Sequence, residues 1–221
     1  MRSSNYFIYG IEPKNVWKRG LSLILEKGSL VDDERGNSTK ELLNLMSRVE
    51  NPFGVYPKEI REKMLETYGD TLLTADNKGF SYTYGERLRN WNCDITNSRF
   101  VNHEPKVRDR LDQIELIIRR LKNNKNTRRA TATTWIPSID FNSEEVPCMV
   151  LIDFKLRERM ELTAVFRSHD FYGAYPYNLY ALSRLLEYVA KETNAEKGGI
   201  TILSISAHIY LNDLKNVETI L

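Results

Sequence analysis

The clearest regular alternations of apolar and polar residues lie in the last third of the chain. Val146 to Phe154 and Glu161 to Phe166 are short apolar, β-branched runs separated by the charged Arg157-Glu158-Arg159. That is the pattern of two strands joined by a tight connection. Residues 198–213, GGITILSISAHIYLND, predict a final strand whose His208 and Tyr210, two apart, share one face. A 3.6-residue period predicts helices elsewhere. Residues 13–26 align Trp17, Leu21, Ile24 and Leu25, and Gly28 ends the run. Residues 57–73 align Ile60, Met64, Leu65 and Tyr68, and residues 179–191 align Leu182, Leu185, Leu186 and Val189. Residues 106–124 turn Val107, Leu111, Ile114, Ile117, Ile118 and Leu121 inward, and their charges make a solvated outer face. Residues 41–49, ELLNLMSRV, suit a helix or a strand, DNKG at 76–79 is a turn, and Arg128 and Arg129 open a strand leading to Trp135.

Strands interleaved with helices over 221 residues give enough chain for one sizeable α/β domain spanning 1–221. Hydrophobic content of 41% and charged content of 28% are those of an ordinary soluble protein. A net charge of +2 gives no whole-molecule case for binding nucleic acid, so any anion site must come from locally clustered arginines. Cys93 and Cys148 make neither a disulfide framework nor a zinc spacing, and no metal is expected. The opening MRSSNYFIYG has no signal-peptide core, and no apolar run is long enough to span a bilayer. No membrane role and a cytoplasmic location are therefore the expectation.

Candidate chemistry concentrates in residues 146–178. Cys148 follows Pro147 at the mouth of one strand, and Arg167 opens the polar knot Arg167-Ser168-His169-Asp170 at the end of the next. Antiparallel pairing would bring those two ends together. A cation beside a thiol favours the thiolate, which is the nucleophilic form. A free cysteine is also a small hydrophobe, and pattern alone favours that reading. Asn178 opens a helix behind an aromatic, Gly/Pro-bearing turn.

Five features then occur together. Pro147-Cys148 is followed by RSHD at 167–170, and that in turn by Asn178. RRATATTW at 128–135 places its arginine pair upstream of Pro147, HIY stands at 208–210, and Tyr84-Gly85 precedes a helix. In order and spacing, over about residues 80 to 210, this resembles the thymidylate synthase and pyrimidine nucleotide hydroxymethylase superfamily, most of all its short archaeal-type thymidylate synthases.

The resemblance implies a three-layer α+β fold with a mixed sheet covered by helices, in which 41–49 is a strand. It implies C5 methylation of dUMP by 5,10-methylenetetrahydrofolate, or a methanopterin analogue, in a homodimer with shared active sites. Cys148 would be the nucleophile that adds to pyrimidine C6, and Tyr84 the active-site tyrosine. Arg167 would both hold the phosphate and favour the thiolate. Arg35 in the polar loop at 30–41 would reach the phosphate, with Arg128 and Arg129 donated from the partner subunit. Ser168 would bind substrate, and His208 and Tyr210 the ribose hydroxyls. Asp170 would hold the pterin, and Glu62 or Glu66 would relay protons, though an exposed helix glutamate is the plainer reading of each. The Asn178 amide offers one donor and one acceptor, matching O4 and N3–H of uracil. His169 reads as a polar packing residue. The aromatic residues that usually precede the Tyr84 motif are missing. The sequence stops at Leu221, soon after His208, where longer relatives continue into a closing tail. Water addition, giving a hydroxymethyl product, is therefore the second expectation, and a nucleotide-binding homologue without turnover the third.

Overall fold

A computed structural model describes residues 6–60, 62–77, 79–91 and 111–221; the side chains of residues 63 and 64 are not described. Cys93, Val107 and the predicted helical residues 106–110 lie outside this set, as does the Met64 side chain. Among the described residues there are eight strands: β1 Tyr6–Gly10, β2 Ser29–Asp32, β3 Ser38–Val49, β4 Thr131–Thr133, β5 Met149–Leu156, β6 Met160–Phe166, β7 His169–Asp170 and β8 Lys197–Tyr210. The helices are α1 Pro13–Lys27, α2 Glu62–Gly69, α3 Tyr84–Arg89, α4 Gln113–Asn123, α5 Pro137–Asp140, α6 Tyr175–Glu192 and α7 Leu214–Ile220.

All eight strands join one mixed sheet in the order β1-β3-β8-β6-β5-β4, with β2 paired to β3 and β7 to β8. The alternation of the sequence becomes two unlike faces. Across five strands, Ile8, Ser47, Ile202, Ala164 and Ile152 stand in register, and all are buried. This row lies beneath α1 and α6, which carry Trp17, Leu21, Ile24, Leu182, Leu185 and Leu186 into the same core. Helix α2 packs on α6 and not on the sheet, so the third layer of this α+β fold stacks on the second. The next row, Phe7, Met46, Leu203, Val165 and Leu151, points the other way. Phe7 and Met46 are exposed, at 57% and 40%.

Several predicted boundaries shift. Residues 41–49 fall within the long strand β3. The helix expected over 57–73 shortens to α2 followed by a 3-10 turn at Asp70–Leu72. The helix expected from residue 106 begins at Gln113, where the Asp112 side chain accepts from the Glu115 N–H and caps it. Leu111 instead pairs with Trp91 in a short antiparallel bridge. Leu25 is only half-buried. Arg128 and Arg129 precede the strand rather than open it, since β4 starts at Thr131. Asn178 is the fourth residue of α6, not the first. Among the described residues no helix is long and apolar enough to cross a membrane.

Candidate active site

The β5–β6 hairpin puts the thiol beside the guanidinium. Met149 pairs with Phe166, so the residues just outside that pair, Cys148 and Arg167, are cross-strand neighbours. The Arg167 N–H donates to the Cys148 carbonyl at 2.8 Å. The Arg167 side chain is then pinned by main-chain oxygens, with Nε donating to Pro147 O at 3.0 Å and Nη2 to Val146 O at 3.1 Å. This leaves Nη2 4.0 Å from the Cys148 Sγ. Cys148 is neither walled off nor turned away: it is half-buried and lines a cavity of about 430 Å³.

Three further segments close round it. Thr83 caps α3 by accepting from the Glu86 N–H, and Tyr84, the first residue of α3, accepts from the Met149 N–H at 3.1 Å. Tyr82 donates to Val146 O at 3.1 Å and lines the cavity, so the stretch before Tyr84 does bring an aromatic ring to the site. Burial and the nearby sulfur push the Tyr82 phenol up to about 12 and the Tyr84 phenol well above its ordinary value. The hairpin between β2 and β3 turns on Gly36, at φ 78°, with Asp33 accepting from the Arg35 and Asn37 N–H groups. It holds Arg35 against the opposite wall, where Nη2 donates to Glu145 Oε1 at 3.0 Å and Glu144 O at 3.2 Å. His208, Tyr210 and Ser168 complete this wall.

Electrostatics without substrate run against the nucleophile. Burial pushes the Cys148 thiol up, Arg167 and Arg35 pull it down, and Glu145 pushes it up again. The cavity wall carries five carboxylates, Asp32, Asp33, Glu34, Glu41 and Glu145, against two guanidiniums, Arg35 and Arg167. Glu145→Gln removes one upward push and frees Arg35 from its partner. The pH at which iodoacetamide alkylates Cys148 half-maximally is therefore expected to fall; an unchanged profile would show that Glu145 does not act on the thiol.

Asn178, expected to meet the base, is buried and does not line this cavity. Its Oδ1 accepts from the Tyr68 hydroxyl at 3.1 Å, and Tyr68 is near enough to Cys148 to feel its charge. Nδ2 stands 3.2 Å from Nε2 of His169, a buried imidazole stacked on Phe166. Burial pushes the His169 imidazole down from 6.5 to about 3. An unfolded chain takes up this proton below about 6.5, while the folded one refuses it until about 3. Stability is thus complete above pH 6.5 and falls as the pH drops, by about 1.4 kcal/mol per pH unit. Denaturant titrations from pH 7 to pH 5 should show a loss of about 2 kcal/mol that His169→Phe abolishes.

Other candidate residues are not brought to the cavity wall. Asp170 spends Oδ1 on the Tyr172 and Gly173 N–H groups, at 3.0 and 2.9 Å, and shapes the turn into α6. Glu62 and Glu66 are exposed on α2, and neither lines the cavity. Arg128 and Arg129 are exposed in a separate basic depression with Arg120. The sequence placed Tyr68 only on an apolar helix face and did not single out Tyr82, Glu41 or Glu145. Only Tyr82 carried a signal, its alternation with Tyr84.

Comparison with known proteins decides the relationship. The family model described as Thymidylate synthase matches residues 37–221, which include every residue of the cavity wall except Val31, Asp32, Asp33, Glu34 and Arg35. The chain belongs to the thymidylate synthase family. A protein of Methanococcoides burtonii is 47% identical, covering 94% of this chain and 90% of its own. One of Methanosarcina mazei is 47% identical over 95% and 93%, and one of Methanothermobacter thermautotrophicus 39% identical over 96% and 98%. Each bears the name "Putative thymidylate synthase". The mixed sheet layered with helices is the fold expected of a thymidylate synthase, and the family uses a folate-type co-substrate in nucleotide biosynthesis.

Proposed function

We propose that this protein methylates dUMP at C5, with Cys148 as the nucleophile that adds to C6 of the uracil ring. The observation that carries this reading is the thiol held 4.0 Å from a guanidinium on the wall of a nucleotide-sized cavity. Pyrimidine C5 is a poor nucleophile. Adding a thiolate at C6 moves the ring electrons so that C5 behaves as an enolate carbon and can attack an electrophilic one-carbon unit. A folate-type donor, or a methanopterin analogue, supplies that unit. Asp170, bound to two backbone N–H groups, gives no support to a pterin contact, and the donor's identity is left to the family relationship.

Arg167 is fixed before substrate arrives and needs no reorganisation to meet a phosphate. Arg35 has to leave Glu145, a pair more than half exposed on both sides and so worth no more than about 1 kcal/mol. His208 and Tyr210, both on the cavity wall, would read the sugar hydroxyls.

A second copy of the chain belongs to this reading. One chain gives the cavity an excess of carboxylates, which a dianionic phosphate would not enter without more positive charge. Arg128 and Arg129 are exposed and do not line their own chain's cavity, and among the described residues the sheet face bearing Leu203 exposes Phe7 and Met46. Packing two such faces together would bury these side chains and let each chain lend its arginines to the other. An inactive Arg128→Ala/Arg129→Ala variant mixed with inactive Cys148→Ser should then regain activity through hybrid dimers. A mixture that stays dead while both variants dimerise would exclude shared sites.

The reaction itself is tested with C5-tritiated dUMP and methylenetetrahydrofolate. Release of tritium with a methyl product is expected. Release with a hydroxymethyl product would make the protein a hydroxymethylase, the outcome if water reaches the intermediate first. Retained tritium with tight dUMP binding would leave only a nucleotide-binding protein.

A further inference from the structure

Arg35 already holds a carboxylate in the cavity where a phosphate would bind. Its Nη2 donates to Glu145 Oε1 at 3.0 Å and to Glu144 O at 3.2 Å, and both acceptors belong to the segment just before Pro147-Cys148. Arg35 and Glu145 line the same cavity as Cys148 and Arg167. Their side chains are 56% and 59% exposed, so the contact is open to any anion that enters.

The two arginines of the wall are held by different kinds of partner. Arg167 donates Nε and Nη2 to main-chain oxygens, which carry no net charge and stay in place when a ligand binds. Arg35 is held by a carboxylate, which bears the same sign of charge as a phosphate and accepts the same N–H groups. The hairpin that presents Arg35 does not depend on this contact. The Asp33 carboxylate accepts from the Arg35 and Asn37 N–H groups at 3.0 and 2.7 Å, and the Asn37 carbonyl accepts from the Asp33 N–H at 2.9 Å. The turn therefore keeps its shape while the guanidinium changes partner. The Asp32 and Glu41 carboxylates are taken up by the Ser38 and Ser206 hydroxyls, so Glu145 is the wall carboxylate set against an arginine.

We infer that Glu145 is an internal competitor for the 5′-phosphate, and that it thereby sets how strongly the site prefers a nucleoside monophosphate to the free nucleoside. The inference rests on the reading of Arg35 as a phosphate contact. Deoxyuridine, which has no phosphate, leaves the pair of Arg35 and Glu145 intact. A monophosphate breaks the pair and then lies near the carboxylate it has displaced. Loss of Glu145 therefore tightens one class of ligand and not the other. An ion pair this exposed limits the gain to about fivefold.

Calorimetric titration of dUMP and deoxyuridine, with no carbon donor present, measures the difference. Glu145→Gln is expected to tighten dUMP by about fivefold at low salt and to leave deoxyuridine unchanged, with the gain shrinking as salt is raised. Glu34→Gln removes a like charge from the same wall without touching the pair, and should tighten dUMP less. In an Arg35→Ala background, Glu145→Gln should lose most of its effect. Both glutamates are exposed, so neither change puts folding at stake. If Arg35→Ala weakens dUMP binding while Glu145→Gln leaves it unchanged, competition is overturned and the phosphate reading of Arg35 stands. If Glu34→Gln does as much as Glu145→Gln, or the gain persists without Arg35, the charge of the wall is the cause and the inference falls. If Arg35→Ala leaves dUMP affinity untouched, the phosphate reading itself fails and takes the inference with it.

Discussion

Cys148→Ser is expected to lower tritium release from C5-labelled dUMP by about 10⁴-fold or more, the scale on which covalent enzymes lose rate when the nucleophile goes. A serine hydroxyl is far harder to ionise than a thiol, and what stands beside it does not help. The closest charged group, Arg167, is a cation whose Nε and Nη2 already donate to main-chain oxygens. A guanidinium can favour an anion but cannot take up a proton. Binding of dUMP should survive, because the serine keeps the cavity's shape and leaves both arginines in place. The measurement is therefore paired: tritium release falls to background while calorimetric dUMP affinity stays within a few-fold. Full release from the serine variant would remove covalent addition at this position. Joint loss of release and binding would instead show that the thiol shapes the pocket.

The largest stability effect is expected away from the sulfur. Arg87 on α3 and Asp140 on α5 form a fully buried pair, with Nη2 2.9 Å from Oδ1 and side chains 7% and 0% exposed. The Asp140 Oδ2 also accepts from the Ile136 N–H at 2.5 Å, and the Arg87 guanidinium lies 4.8 Å from the centre of the Trp91 ring. Asp140→Ala leaves a guanidinium and a backbone N–H in the interior without their acceptor. Removing one partner of such a pair costs about 3–5 kcal/mol. For a chain of this size that lowers Tm by on the order of 10 °C. Replacing both residues, as Arg87→Met with Asp140→Leu, should recover most of the loss, since no charge is then stranded. Activity should fall further than stability explains, because the same guanidinium stands 5.8 Å from the Tyr82 ring at the cavity wall. Equal losses in the single and double variants would show that packing, not charge, is what matters there.

Legibility in the sequence followed the range of the interactions. The pairing of Cys148 with Arg167 could be read from two apolar runs and a charged turn, since a hairpin of that length fixes which residues stand opposite. His208 and Tyr210 followed from the two-residue period of a strand that continues to the sheet's end. Helix starts were read poorly where a cap or a bridge intervened, as at Asp112 and Leu111. A period of 3.6 says which residues face inward, not where the first turn closes.

What the sequence determined by itself was therefore the local chemistry: a thiol at one strand mouth, a guanidinium at the next, and an amide near the start of the following helix. Tertiary structure alone decided how that chemistry is biased. Glu145 meets Arg35 across 110 positions of chain, and Ser204 fixes His169 from a strand 35 residues away. Neither contact has a period or a spacing that a pattern could show. Such pairs form only when the sheet order brings distant strands together, and burial then makes each unmatched donor or acceptor costly enough to fix the arrangement.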